Sequence, residues 1–207
     1  PQDTNITVSD FSMDWPNIET VSVGGYFNAG IYFERTAKTR VLRVDGTTHA
    51  VKDAASGFGG KGILLRACND CEMSNNILTD IADGPYSCSW GENWAGYTGG
   101  CTARGNLYVQ TNAHNTSAYI MTARNMLAEG NRAIYPDPRH CCTNGSGSNC
   151  IRPDVTCPNG DADCAGSSPY LTCVSNTHGA VENGDTDPFQ TYVNNTVVNG
   201  GMGLNGC

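Results

Sequence analysis

The sequence predicts an all-β chain built as a solenoid of stacked coils. Three observations predict it. Helical periodicity is nearly absent: the most helix-like stretch, Met121 to Ala128, carries Asn125 and is followed by Gly130. Short β-rich runs alternate with Gly, Asn and Asp. An apolar-x-x-Asn-x-apolar pattern also recurs along the chain.

The predicted strands come in chain order. The first are Asn5 to Val8, Gly30 to Phe33, Arg40 to Val44 and Gly62 to Leu65. Leu107 to Val109, Ala118 to Met121 and Tyr192 to Val193 follow. The repeat reads clearly as Met73 to Leu78, Ala103 to Tyr108, Ala128 to Ala133 and Tyr192 to Val197. Val8 to Met13 fits with Phe in the Asn slot, and Leu42 to Thr47 fits more loosely. The slots fall at 11, 45, 76, 106, 131 and 195, with steps of 34, 31, 30, 25 and 64. The last step has room for two coils or for one coil and an insertion.

One such repeat cannot bury its apolar face alone. Stacking repeats at strand spacing, ~4.8 Å, buries a continuous interior. An Asn at the same turn of each coil tolerates the left-handed backbone region. Its amide can also bond the equivalent Asn above and below, pairing groups that burial would otherwise orphan. Asn76, Asn106, Asn131 and Asn195 are the expected ladder. The competing reading is a set of chance Asn-Gly turns in a β-sandwich.

On this coil pattern and these corner asparagines, the chain resembles the right-handed parallel β-helix superfamily of pectate-lyase-like, polysaccharide-processing proteins. The resemblance covers roughly Asn5 to Ile134 and Gln190 to Gly201, and it lies at the level of the fold. It implies a right-handed parallel β-helix solenoid of about five or six coils. Residues 1–207 are expected to be a single domain with two insertions. One, about 136–173, holds six cysteines and five prolines and reads as a disulfide-stapled loop. The other, about 87–100, carries Cys88, Trp90, Trp94 and Tyr97.

Composition narrows the partners. Twelve basic against twenty acidic residues give a net charge of −8, which argues against a nucleic-acid backbone as partner. Charged residues make up only 15% and hydrophobic ones 39%, so the chain can bury a core and is not a charged disordered tail. No apolar run approaches the ~18 residues of a membrane span, and no signal peptide is visible at Pro1.

Eleven cysteines are too many for an ordinary reduced cytosolic protein. Together with sequons at Asn5, Asn115, Asn144 and Asn194, they point to a secreted protein whose acceptor asparagines are exposed and, in a eukaryote, glycosylated. Cys68, Cys71, Cys88, Cys101, Cys141, Cys142, Cys150, Cys157, Cys164 and Cys173 are expected in disulfides. The odd count leaves Cys207, at the end of the sequence, as the candidate for an intermolecular link.

Cys68-Asn69-Asp70-Cys71 matches a redox pair or half of a zinc site, but a structural role is preferred because no second CxxC completes a zinc set. Cys71 and Cys101 each stand five residues before a corner Asn, so they are expected to stack within disulfide range. For Cys141-Cys142, pairing with separate partners is preferred over a vicinal bond. The acidic turns at Asn159 to Asp163 and Asn183 to Asp187 offer too few carboxylates for Ca²⁺ and read as solvated turns. No metal and no cofactor is expected.

The resemblance raises the question of catalysis. Arg43, Arg66, Arg104 and Arg124 are candidates to line a face, with Asp10, Asp14 and Glu34 as acids. His49, His114, His140 and His178 are scattered. Paired-Asp and Asp-Pro-His signatures are missing, so no catalytic residue is assigned. Trp90, Trp94 and Tyr97 form either a sugar-stacking platform or the packing of an insertion.

Two functional expectations follow. The first is a secreted structural protein, stacking head to tail on itself into an extracellular filament or adhesin. Ile6 to Phe11 would meet Tyr192 to Val198 of the next copy. The second is a polysaccharide lyase, glycosidase or carbohydrate-binding module, with glycans as partners.

Overall fold

The structure is a computed structural model. It describes residues 3–15, 29–48, 61–81, 84–89, 96–111, 119–135, 139–142, 157, 159, 161–164, 172–175, 179–183, 190–199 and 201–204.

The strands are short and numerous. They begin with β1 (Thr7–Trp15), β2 (Ala29–Glu34), β3 (Arg40–Thr48), β4 (Lys61–Arg66), β5 (Cys71–Ser74) and β6 (Ile77–Thr79). Next come β7 (Tyr86–Ser89), β8 (Cys101–Arg104), β9 (Leu107–Val109), β10 (Tyr119–Met121), β11 (Met126–Glu129) and β12 (Arg132–Ile134). The last are β13 (Arg139–Cys142), β14 (Thr172–Ser175), β15 (Gly179–Asn183), β16 (Gln190–Val193), β17 (Thr196–Val198) and β18 (Gly201–Leu204). One 3₁₀ turn spans Asp161–Cys164.

These strands form two parallel sheets and one antiparallel pair. The first sheet has ten strands in the order β16-β11-β8-β5-β3-β6-β9-β12-β17, with β1 on the free flank of β3. The second has six, in the order β18-β15-β10-β7-β4-β2. β13 and β14 pair antiparallel within the cysteine-rich segment.

The expected right-handed parallel β-helix solenoid of five or six coils is corrected: the described strands make open parallel sheets, and no closed solenoid. The slots were expected to be corners, where each coil turns into a new face. β1 and β3 instead continue through theirs as nine-residue strands, each with one left-handed residue, Asp10 and Arg43. β3 pairs with β5 over its first half and with β6 over its second, so both half-width ladders belong to one sheet. The slot expected at 45 is displaced by one residue. Phe11 pairs with Val44, and the Val44 N–H donates to Asn76 Oδ1 at 2.9 Å. Asp45 pairs with Ile77 on the outer face.

The core lies where the two sheets meet. Along β3, β5, β8, β11 and β16, one register column reads Val41, Met73, Ala103, Ala128 and Tyr192. A second reads Gly46, Leu78, Tyr108, Ala133 and Val197. The six-stranded sheet answers with Ile31, Ile63, Tyr86 and Tyr119. In-register parallel pairing puts side chains of one column on the same side, so each column becomes a continuous apolar ridge. Tyr86 and Tyr119 stack with ring centroids 5.1 Å apart and 10° between planes.

The left-handed turns also form columns. Asp10, Arg43, Asn75, Gly105, Gly130 and Asn194 all have φ between 52° and 63°. Each immediately precedes a member of the column Phe11, Val44, Asn76, Asn106, Asn131 and Asn195. The left-handed backbone therefore falls one residue before the asparagine that was expected to adopt it.

The expected insertion at 87–100 begins later than the composition indicated. Ser87, Cys88 and Ser89 belong to β7 and pair with β4. Trp90 and Trp94 lie outside the described residues.

Candidate functional site

Three features of the stack are candidates for function: its buried polar column, its two ends and a group of four cysteines.

The polar column is made of Asn76, Asn106, Asn131 and Asn195. Asn76 Nδ2 donates to Asn106 Oδ1 at 2.9 Å, Asn106 Nδ2 to Asn131 Oδ1 at 3.0 Å, and Asn131 Nδ2 to Asn195 Oδ1 at 3.0 Å. Each amide also donates to a carbonyl of the preceding strand: Val41, Met73, Ala103 and Ala128. The hydroxyls of Tyr86 and Tyr119 reach across from the second sheet to the carbonyls of Asn76 and Leu107, and of Asn106 and Arg132. Burial pushes both phenols well above their ordinary range, so they stay protonated donors. The two tyrosine hydroxyls tie the second sheet to this column, whose members Asn76, Asn106 and Asn131 are buried and whose end member Asn195 is half-buried.

The ends of the stack differ from its middle. Among the described residues, β1 pairs only with β3 and β2 only with β4. At the other end β16, β17 and β18 pair only with β11, β12 and β15. The apolar residues packed on the main core but only partly buried are Val8, Phe11, Met13, Phe33, Tyr192 and Val197. All six stand on these end strands.

Three disulfides join described residues: Cys88–Cys101, Cys141–Cys164 and Cys157–Cys173. Cys141 therefore pairs away from its neighbour. The last two bonds pack together as a small core of their own. Cys141, Cys157 and Cys164 also lie close enough to suit a metal, but each is committed to one of these bonds. Cys150 and Cys207, and the side chain of Cys142, lie outside the described residues.

Cys68 and Cys71 are buried free thiols, which corrects the expectation that both are in disulfides. Cys71 does stand in register with Cys101, as the spacing indicated, but Cys101 is bonded across the sheets to Cys88. The thiols sit in a polar network the sequence reading missed. Thr39 Oγ1 donates to Thr36 Oγ1 at 2.8 Å, and Thr36 Oγ1 lies 3.2 Å from Cys68 Sγ. Both threonines are buried. Their signal was the repeat step itself: Thr36 precedes Cys68 by 32 residues. The hydrogen bond between the thiols, reinforced by burial, pushes the Cys68 thiol up. The same bond lowers Cys71 to about 7, against the opposing effect of its burial and with help from Thr39 and Thr36.

The charged candidates pair along the outer face. Arg43 donates Nε and Nη2 to Asp10 at 2.6 and 2.7 Å, and Arg104 pairs with Glu129 at 2.9 Å. Arg66 lies 3.9 Å from Glu34, whose Oε2 accepts the Tyr32 hydroxyl at 2.5 Å. Asp14 lies on β1 and Arg124 precedes β11. Tyr97 is buried and its hydroxyl accepts the Arg124 N–H, so it packs the interior and offers no stacking surface. His140 lies on β13. His49, His114 and His178 lie outside the described residues.

In the cysteine-rich segment, Asp163 accepts the Asn159 N–H at 2.8 Å and Asp161 the Cys173 N–H at 2.7 Å. These carboxylates tie down backbone. Asp185 and Asp187 lie outside the described residues. Of the sequon asparagines, Asn5 and Asn194 are exposed, each in a left-handed turn. Asn115 and Asn144 lie outside the described residues.

Comparison with protein-family models, with curated proteins and with solved structures finds no match to this chain. No helix among the described residues is long and apolar enough to cross a membrane, and the disulfides are compatible with an extracellular protein.

Proposed function

We propose that the chain is a secreted structural protein that stacks end to end into an extracellular filament or adhesin. One observation carries the reading: the half-covered apolar residues of the core gather on the strands at its two ends. Among the described residues, such a strand leaves a row of backbone donors and acceptors without a ladder partner on its outer flank. Placing β16, β17 and β18 of one copy against β1 and β2 of the next would continue both parallel sheets. It would also cover Tyr192 and Val197 with Val8, Phe11, Met13 and Phe33. The contact is head to tail and does not close, which is the geometry of a filament. Phe11 stands where the next asparagine of the column would be. The joint therefore rests on backbone pairing and apolar burial, at ~25 cal/mol per Å² of apolar area.

The test is electron microscopy and light scattering on the native full chain over a range of concentrations. Filaments or a concentration-dependent series of oligomers are expected. A Thr7→Pro variant, which removes a donor from the outer flank of β1 because the Ile6 carbonyl already faces β3, should lower assembly more than monomer stability. A chain that stays monodisperse and monomeric at every concentration overturns the reading.

A further inference from the structure

We propose that Cys68, Cys71, Cys88 and Cys101 form one thiol–disulfide exchange site, in which the Cys71 thiolate attacks Cys101 and moves the disulfide from Cys88–Cys101 to Cys71–Cys101. The proposal does not depend on the assembly reading.

The geometry gives Cys101 two partners. It is bonded to Cys88 with a Cα separation of 6.5 Å. Cys71 is its register partner on the adjacent parallel strand. Neighbouring strands lie ~4.8 Å apart, inside the Cα range a disulfide accepts. Both side chains point inward: each is 2% exposed, and their neighbours two residues on, Met73 and Ala103, are also in register and fully buried. A thiol and a disulfide sulfur are thus held side by side on two strands of one sheet.

The surroundings suit Cys71 as the attacking group. The thiolate is the nucleophile in exchange, and an attacking thiol works best when its pKa is near ambient pH. Cys71, lowered to about 7, meets that condition although it is buried. Cys68 acts as a positioning residue: its thiol, pushed up by the neighbouring Cys71 and by burial, remains protonated and faces the Phe33 and Arg66 carbonyls. Thr36 and Thr39 complete the hydrogen-bonded surroundings.

The step balances without an outside oxidant. The Cys71 sulfur uses a lone pair to form the Cys71–Cys101 bond, and the Cys88–Cys101 bond breaks. The departing electron pair stays on Cys88, which takes up the proton Cys71 gave up. One disulfide and two thiols are present before and after. The mechanical result differs. Cys88 is on β7 and Cys101 on β8, so the starting bond ties the two sheets together. The product bond ties two strands of the same sheet and releases that cross-link.

The experiment maps linkages in the native full chain. The protein is held at neutral pH without added thiol, quenched with acid, alkylated in denaturant and cleaved after glutamate. Glu72 and Glu92 separate Cys71, Cys88 and Cys101 onto three peptides for mass spectrometry. Both Cys88–Cys101 and Cys71–Cys101 peptides are expected, and Cys71→Ser should leave only the former. Only Cys88–Cys101, with Cys68 and Cys71 both alkylated, overturns the proposal. A closed Cys68–Cys71 bond beside an intact Cys88–Cys101 also overturns it. A second variant guards against misfolding of the first. Cys88→Ala, equilibrated in a glutathione redox buffer, should form Cys71–Cys101. Any other state of Cys101 in that variant counts against the site.

Discussion

Asn106 Oδ1 accepts two hydrogen bonds from Asn76, one from the side-chain amide at 2.9 Å and one from the backbone N–H at 3.1 Å. Asn106 in turn donates to Asn131 and to the Met73 carbonyl. Asn106→Ala would leave the Asn76 backbone N–H and one hydrogen of its side-chain amide without an acceptor where water has no access, while the amide keeps its bond to the Val41 carbonyl. An unsatisfied buried group costs about 1–3 kcal/mol, so a loss of roughly 2–4 kcal/mol is expected. Asn195→Ala removes the same kind of acceptor, but Asn195 is only half-buried and water can replace it. There the expected loss is about 1 kcal/mol. Denaturant unfolding of the two variants checks the ranking, and an equal loss at both positions would contradict it.

The turn before each column residue gives a second prediction. Gly130 and Gly105 both sit in the left-handed region, at φ 63° and 60°. A Cβ on Gly130 would meet nothing within 4 Å, whereas one on Gly105 would come within 2.8 Å of Asn75 Oδ1. Asn75 and Asn194 already occupy this turn in neighbouring strands. Asn tolerates the left-handed region, and replacing Gly narrows the unfolded ensemble. Gly130→Asn should therefore change stability by less than about 0.5 kcal/mol, and Gly105→Ala should lose about 1 kcal/mol or more. Thermal melts of both variants decide it.

These two positions show what could be read from residues alone. The strands and the four asparagines were legible because an inward polar residue recurring at strand-stack spacing has one inexpensive solution: bonding its own repeats. Which residue of each pair turns left-handed was not legible. In Asn75-Asn76 and Asn194-Asn195 both residues tolerate that backbone, and in Gly105-Asn106 the pattern drew attention to the asparagine. The partner of Cys101 was hidden for a different reason. Register within a sheet follows from spacing, so Cys71 was visible. Contact between sheets depends on how the connections fold, so Cys88 was not. The same blindness let a slot be taken for a corner, although β3 continues through it as one strand.

The tyrosines give a third prediction. The Tyr86 hydroxyl lies 2.9 Å from the Asn76 carbonyl and 2.7 Å from that of Leu107. The Asn76 carbonyl also accepts the Leu107 N–H at 2.8 Å, so it keeps a partner when the hydroxyl is removed. Tyr86→Phe should therefore cost only about 1 kcal/mol. Tyr86→Ala removes a fully buried ring stacked on Tyr119 and should cost about 3–5 kcal/mol. A phenylalanine variant as damaging as the alanine one would mean that the hydroxyl, and not the ring, holds the sheets together.

The last prediction concerns acid. Asp10 and Arg43 face each other across β1 and β3, with two hydrogen bonds at 2.6 and 2.7 Å. The Arg43 hydrogen bonds hold the Asp10 carboxyl down at about 2, below its ordinary 3.8. A carboxyl whose pKa is lower in the folded chain binds fewer protons there than in the unfolded chain. Its contribution to stability is thus complete above the unfolded pKa and fades as pH falls from about 4 to about 2. Below that window the pair contributes nothing. Both groups are exposed, so solvent and salt screen the interaction and the effect is small. Asp10→Asn should lower stability slightly at neutral pH, and less in high salt. The gap between variant and parent should close as pH falls through the window. Urea titrations of both chains at neutral pH and along the acid limb test this. A gap that persists at pH near 2 would show that the loss does not arise from the Asp10 charge.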